Sequence, residues 1–176
     1  TPAQLVYNAD GYYTYTFNTA FTIADADKAL THRIALQLSY TNAAGVVVKA
    51  NPYFDFTIGA DGKAVAVTDP TKTRKMTDVS SCNSCHEKLA LHGGGRVDTQ
   101  YCVICHNPGT TDPVSGNVVT LSNMVHKIHA GKKLAAAGQP YYVSSAGYSE
   151  VGFPQDLRNC TKCHTGANAA TPQGDN

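Results

Sequence analysis

The sequence has no tryptophan, and charged residues make up only 15% of its 176 positions. The formal net charge is +1, so there is no basic footprint for nucleic acid and no acidic tail. No apolar run approaches the ~18 residues that a membrane span needs. A basic n-region and an apolar h-region are both missing at the start, so Thr1-Pro2-Ala3 reads as a mature or excised N-terminus. Residues 1 to 81 contain no cysteine, and the last hundred residues are poor in large aliphatics. A chain of this length suits one ordinary domain or two small ones. Its second half lacks the side chains to build an ordinary core, so something else must supply apolar surface there.

What is present is concentrated. All six cysteines fall into three copies of Cys-x-x-Cys-His: Cys82, Cys85 and His86; Cys102, Cys105 and His106; Cys160, Cys163 and His164. This is the attachment signature for c-type haem. Two thiols add across the vinyl groups of one porphyrin, and the adjoining His binds the iron from the proximal side. A thioredoxin-like dithiol or a zinc site also uses paired cysteines. Neither explains a His after the second Cys each time. The expected cofactors are therefore three covalently attached haems c, whose porphyrins supply the missing core. The haem region is expected to be unfolded without them.

Along the chain the pattern changes once. Residues 1 to about 70 alternate as strands do: Tyr13, Tyr15 and Phe17 share one face, as do His32, Ile34, Leu36, Leu38 and Tyr40. Turn signals at Asn42–Gly45 and Asp61-Gly62 separate further short strands at Val46–Lys49, Phe54–Ile58 and Val65–Val67. The expected class is mixed: an N-terminal all-β antiparallel sandwich or small barrel, followed by a haem-packed, mostly irregular domain with short α-helices. The divisions are residues 1–76 (β module), 77–166 (trihaem domain) and 167–176 (polar tail). Asp78 or Ser80 caps a helix that runs through the first motif to about Leu91. Thr120 or Ser122 caps a second over Asn123–Ala130, closed by Gly131. A last short helix from Pro154 carries the third motif. Residues 133 to 155 read as mostly irregular, with Tyr141, Tyr142, Tyr148 and Phe153 available to pack on haem edges. Gly93–Gly95 let backbone approach a porphyrin face. Arg96 is a candidate partner for a haem propionate.

Four of the seven histidines lie outside the motifs: His32, His92, His126 and His129. Three distal ligands close three irons, so one histidine is spare. His126 and His129 stand three apart on a predicted helix and feed two adjacent haems. His92 lies too close in sequence to His86 to wrap around the same porphyrin, so it serves another haem, the second. His126 and His129 then serve the first and third. His32, alone on an apolar strand face, is read as a packed residue, and the β region as a scaffold or docking module. Bis-histidine iron has no axial Met to raise its potential, so low potentials are expected. Closed irons carry electrons and leave no position for substrate, so the chain is read as a non-enzyme. The alternative is a multihaem reductase of small oxyanions with one open haem iron. Covalent haem is attached outside the cytoplasm in bacteria and archaea, which sets the expected location.

The haem region resembles the OmcA/MtrC family of bacterial outer-surface multihaem cytochromes. The residues that carry the resemblance are Cys82-x-x-Cys-His-x-x-Leu-Ala-Leu-His-Gly-Gly-Gly-Arg96, Cys102-Val-Ile-Cys-His-Asn-Pro-Gly109, Met124-Val-His-Lys-Ile-His-Ala-Gly131 and Asn159-Cys-Thr-Lys-Cys-His-Thr-Gly166. The resemblance implies electron transfer at the outer-membrane surface, with other redox proteins or cytochromes, minerals or flavins as partners. Family haem domains usually carry five haems, and this chain has motifs for three. Family β-domains hold a cysteine pair linked to flavin binding, which residues 1 to 81 lack. A homopolymeric filament, built by stacking β module on haem module, is the expected form if the chain self-assembles.

Overall fold

Alternating side chains keep the first part of the chain extended, and short turns fold it back on itself. In the computed structural model, which describes residues 4–20, 22–73 and 75–164, β1 (Leu5–Ala9) and β2 (Tyr12–Tyr15) pair antiparallel across an Asp10-Gly11 turn. β3 (His32–Ala35) and β4 (Leu38–Thr41) follow. The alternation over 32–40 predicts one strand, but the chain breaks after Ala35, where the Leu36 N–H turns to the Pro52 carbonyl at 2.9 Å. β4 then pairs with β5 (Val47–Ala50), while β3 pairs with β6 (Tyr53–Ile58). The β4–β5 turn is held by Asn42, whose side-chain oxygen accepts from the Ala44 and Val46 N–H groups at 3.0 Å each. β7 (Ala64–Ala66) completes a three-stranded sheet in the order β3-β6-β7.

The mixed class expected from the sequence is what the structure has: small antiparallel sheets, then short helices in largely irregular chain. The strands stay in separate sheets of two and three. Among the described residues these do not close into a barrel. Every residue of β1, β2 and β4 is exposed.

The second part contains α1 (Val79–His86), α2 (Thr99–Cys102), α3 (Leu121–His129), α4 (Gly131–Ala136) and a two-residue strand pair, β8 (Tyr142–Val143) with β9 (Ala146–Gly147). A 3-10 turn, Cys160–Lys162, carries the third motif in place of the helix expected from Pro154. α1 stops at His86, short of Leu91, because Glu87 swings to φ 54°. The turn that follows is tied back by Asn83, whose side-chain oxygen accepts from the Leu89 N–H at 2.6 Å. Asp78 does sit at the N-cap of α1, but its carboxylate pairs with Lys75 at 2.6 Å. Gly131 does not end the helical chain; α4 begins there and runs into the stretch over 133–155 read as irregular. A Cβ at Gly131 would lie 1.9 Å from the Tyr148 carbonyl oxygen, so only glycine permits this crossing. The tail expected over 167–176 lies outside the described residues.

Apolar burial is scant. Val119 and Tyr141 are the buried hydrophobic residues among those described, and both lie in the second part. The two parts are joined by polar groups. Arg33 on β3 makes two 2.7 Å bonds to the Asp55 carboxylate on β6, donates to the Gln100 carbonyl at 3.1 Å and to the Thr73 carbonyl at 3.0 Å, and lies over the Tyr53 ring. Asn51 donates to the Gly95 carbonyl at 3.1 Å and accepts from the Val97 N–H at 2.7 Å.

Candidate haem centres

Each Cys-x-x-Cys-His copy is wound into a helical turn, which brings the two thiols and the histidine onto neighbouring positions. α1 ends with the first copy. In the second, the His106 N–H bonds to the Cys102 carbonyl at 3.0 Å, and in the third His164 does the same to Cys160 at 2.9 Å. All six cysteines are free thiols, with Cys85, Cys105 and Cys160 exposed and Cys82, Cys102 and Cys163 half-buried. Burial raises the Cys82 thiol above its ordinary pKa, and the Cys163 charge adds to this. Cys102 is raised by burial, then by Asp98 and by Cys82. The first copy thus lies within electrostatic reach of both others.

Each motif histidine faces one histidine from outside the motifs. The ring centres of His86 and His129 are 6.0 Å apart, those of His106 and His92 6.2 Å, and those of His164 and His126 6.0 Å. Six of the seven histidines pair off in this way. Two imidazoles bound to opposite faces of one iron have ring centres about 6.2 Å apart, given about 2.0 Å for each metal–nitrogen bond and about 1.1 Å from nitrogen to ring centre.

The tautomers point the same way. Nδ1 of His106 donates to the Val119 carbonyl at 2.7 Å, and those of His126 and His129 to the Ser122 and Val125 carbonyls at 2.8 Å each. Nδ1 of His164 donates to the Met76 carbonyl at 3.3 Å. A bond from Nδ1 fixes the ring and leaves Nε2 as the basic nitrogen for a metal. His32 is the reverse. Its Nε2 lies 3.0 Å from the Asp27 carbonyl, and its ring faces Phe56 at 5.6 Å.

The surroundings fit haem c. Arg96 has a buried Nε with no hydrogen-bond partner among the described residues, as a donor awaiting a propionate would. Its charge reaches the second centre: burial first, then Arg96 and His106, lower the pKa of His92. Phe153 meets His129 edge-on at 5.5 Å. Tyr141 and Tyr148 pair with each other at 6.1 Å, and the Tyr141 hydroxyl donates to the Val118 carbonyl at 2.8 Å. Next in the chain is the Val119 carbonyl that orients His106.

Sequence reasoning missed the braces of this site. Arg33, Asn51 and Asp55 hold the chain segments that carry Cys102 and His92. Arg33 in the middle of an apolar strand was a signal, because a buried Arg needs a partner. Asn51 gave no such signal.

A family model described as outer membrane cytochrome MtrC/MtrF-like, domains II/IV, matches residues 74–176. The multiheme cytochrome MtrC of Shewanella baltica (strain OS185) is 30% identical over 182 residues, covering 99% of this chain and 23% of that relative. The chain therefore spans less than a quarter of the length of the curated relative it matches. No solved structure matches. No helix among the described residues is long and apolar enough to cross a membrane. Over more than half its length, the chain belongs to the MtrC/MtrF-like family of outer membrane cytochromes.

Proposed function

We propose that the chain relays electrons at the outer cell surface through three haems c, each closed on both faces by histidine. The first is held by Cys82, Cys85, His86 and His129. The second is held by Cys102, Cys105, His106 and His92, with Arg96 on a propionate. The third is held by Cys160, Cys163, His164 and His126. The observation that carries this reading is the one-to-one facing of motif and non-motif imidazoles at 6.0 to 6.2 Å.

Bound haem supplies a one-electron couple. The chain holds the rings of His106, His126, His129 and His164 by Nδ1 bonds to carbonyls and brings the centres near one another. His126 and His129 are three residues apart on α3, so the third and first centres are neighbours. His86 and His92 belong to one short stretch, so the first and second are neighbours too. The thiol electrostatics support the same order: second, first, third.

With imidazole on both faces, no position is left for a substrate, and the potentials are low. An oxyanion reductase needs one motif histidine without an opposing ring, and each of the three has one. Residues 1–76 form a brace for the haem module over 77–166, through Arg33 and Asn51. Donors and acceptors are other cytochromes, with flavins or minerals as terminal acceptors. Self-association into a filament is the further partner reading, which the exposed β1–β2 hairpin supports and negative-stain imaging tests.

The experiment is a haem count by mass spectrometry with paramagnetic resonance of the oxidised holoprotein. Three haems and only low-spin signals are expected. A high-spin ferric signal, or another haem number, contradicts the reading. His129→Gly, His92→Gly and His126→Gly are each expected to alter one haem, and His32→Ala none.

A further inference from the structure

The three distal histidines are held differently. His126 and His129 lie inside α3, and each is fixed by its Nδ1 bond to the carbonyl one turn back. His92 lies in a loop, with its own φ at 49°. That is left-handed backbone, which a non-glycine residue adopts under strain. Gly93 and Gly94 follow at φ 76° and 79°, and a Cβ at either would meet nothing within 4 Å. Glycine adopts left- and right-handed backbone with little penalty, so the chain beside His92 has the freedom to change conformation.

Within the loop the Gly94 N–H donates to the Leu91 carbonyl at 3.1 Å, and the other ties lie at its base. Leu91 and Arg96 form a bridge, with the Leu91 N–H donating to the Arg96 carbonyl at 3.0 Å. Asn51, 6% exposed, clamps the outgoing strand through the Gly95 carbonyl and the Val97 N–H. Gln37 covers Gly95 so closely that a Cβ there would lie 2.6 Å from Gln37 Nε2. Both clamping side chains come from the β region.

We propose that His92 is an exchangeable ligand that swings off the second haem on the 92–94 loop, and that Asn51 is the positioning residue that sets how readily it leaves. This rests on the bis-histidine reading above. The position it opens takes a small neutral molecule that binds ferrous iron through a lone pair, with carbon monoxide as the probe. The exchange balances without redox change. The bond from iron to His92 Nε2 breaks and its electron pair returns to the neutral imidazole. The carbon lone pair of the incoming ligand forms the new bond, and the iron stays ferrous. His126 and His129 are each held by an Nδ1 bond on regular helix, so the first and third haems stay closed.

The test is stopped-flow mixing of the reduced, full-chain holoprotein with carbon monoxide. One haem of the three takes it up, at a rate that reaches a plateau set by departure of His92. Asn51→Ala removes two hydrogen bonds from the clamp and raises that plateau about five- to thirtyfold. Asn51→Asp keeps the acceptor for the Val97 N–H, gives an intermediate rate, and carries the test if the alanine variant does not fold. In His92→Gly, uptake stays at one haem but loses its plateau. No uptake by the unaltered protein, uptake at two haems in His92→Gly, or a plateau unmoved by both Asn51 variants overturns the proposal. A high-spin signal in the oxidised protein before mixing defeats the bis-histidine reading itself, and this proposal with it.

Discussion

In residues 4–66 the chain coheres through backbone ladders, yet side chains on β1, β2 and β4 stand in solvent. In residues 75–164 ladders almost vanish, and the strand pair there is two residues long. The buried apolar side chains of that part come down to Val119 and Tyr141. Its long-range contacts are scattered bonds, such as those from Tyr141 to the Val118 carbonyl and from the Ser144 N–H to Asp112, together with three facing pairs of histidines. The difference teaches where stability resides in each part. The first is held by its own hydrogen bonds. On the proposed haem reading the second is a frame of short helical turns whose interior porphyrin completes, and cofactor burial and folding are expected to be one event there. Between them lies a polar junction, Arg33–Asp55 and Asn51, that ties the β region to the segments carrying Cys102 and His92.

The largest expected effect comes from removing a haem. Cys82→Ala with Cys85→Ala is expected to lower the stability of the second part by more than about 5 kcal/mol, given the apolar area that a porphyrin buries. Thermal unfolding followed at the haem bands shows the loss, while the β signal in circular dichroism persists. A two-haem product with unchanged melting breaks the comparison.

Next is the junction. Asp55→Ala strands the Arg33 charge, whose side chain is 12% exposed, and is expected to cost about 3–5 kcal/mol in denaturant unfolding. It is also expected to disturb the second haem, because Arg33 holds the Gln100 carbonyl beside Cys102. If only the β signal changes, the two parts are less coupled than the contacts indicate.

Gly131→Ala is expected to cost about 1–3 kcal/mol, because the new methyl group meets the Tyr148 carbonyl. The loss is expected to fall on α3 and α4, and hence on the first and third haems. Tyr141→Phe, which removes the bond to the Val118 carbonyl, is the smallest change, about 1 kcal/mol, and falls on the second haem. Haem-resolved redox titration separates the two.

Much of the proposed site is legible in the sequence, because haem attachment needs a fixed local spacing. Chain length alone argued that His92 could not reach back over the haem of His86, and in the structure it faces His106. The reading of His32 as a packed residue agrees with its Nε2 being turned to Asp27. What failed to show were features set by tertiary contact. Glu87 to Leu91 are ordinary helix formers, but the chain leaves α1 at Glu87 to place His92 across from the second motif. The strand over 32–40 is continuous in pattern and divided in fact, because β3 and β4 pair with different neighbours. α4 was hidden by Gly131, a stop signal used here for a close backbone crossing. The bonds from Arg33 to the Gln100 carbonyl and from Asn51 to the Gly95 carbonyl span 67 and 44 positions, and no local pattern marks them.

The most direct test is an experimental structure of the holoprotein that identifies both axial ligands at each iron. The account predicts His86 with His129, His106 with His92 and His164 with His126, and His32 bound to no iron. An iron ligated by His32, or any exchange among the three pairs, contradicts it.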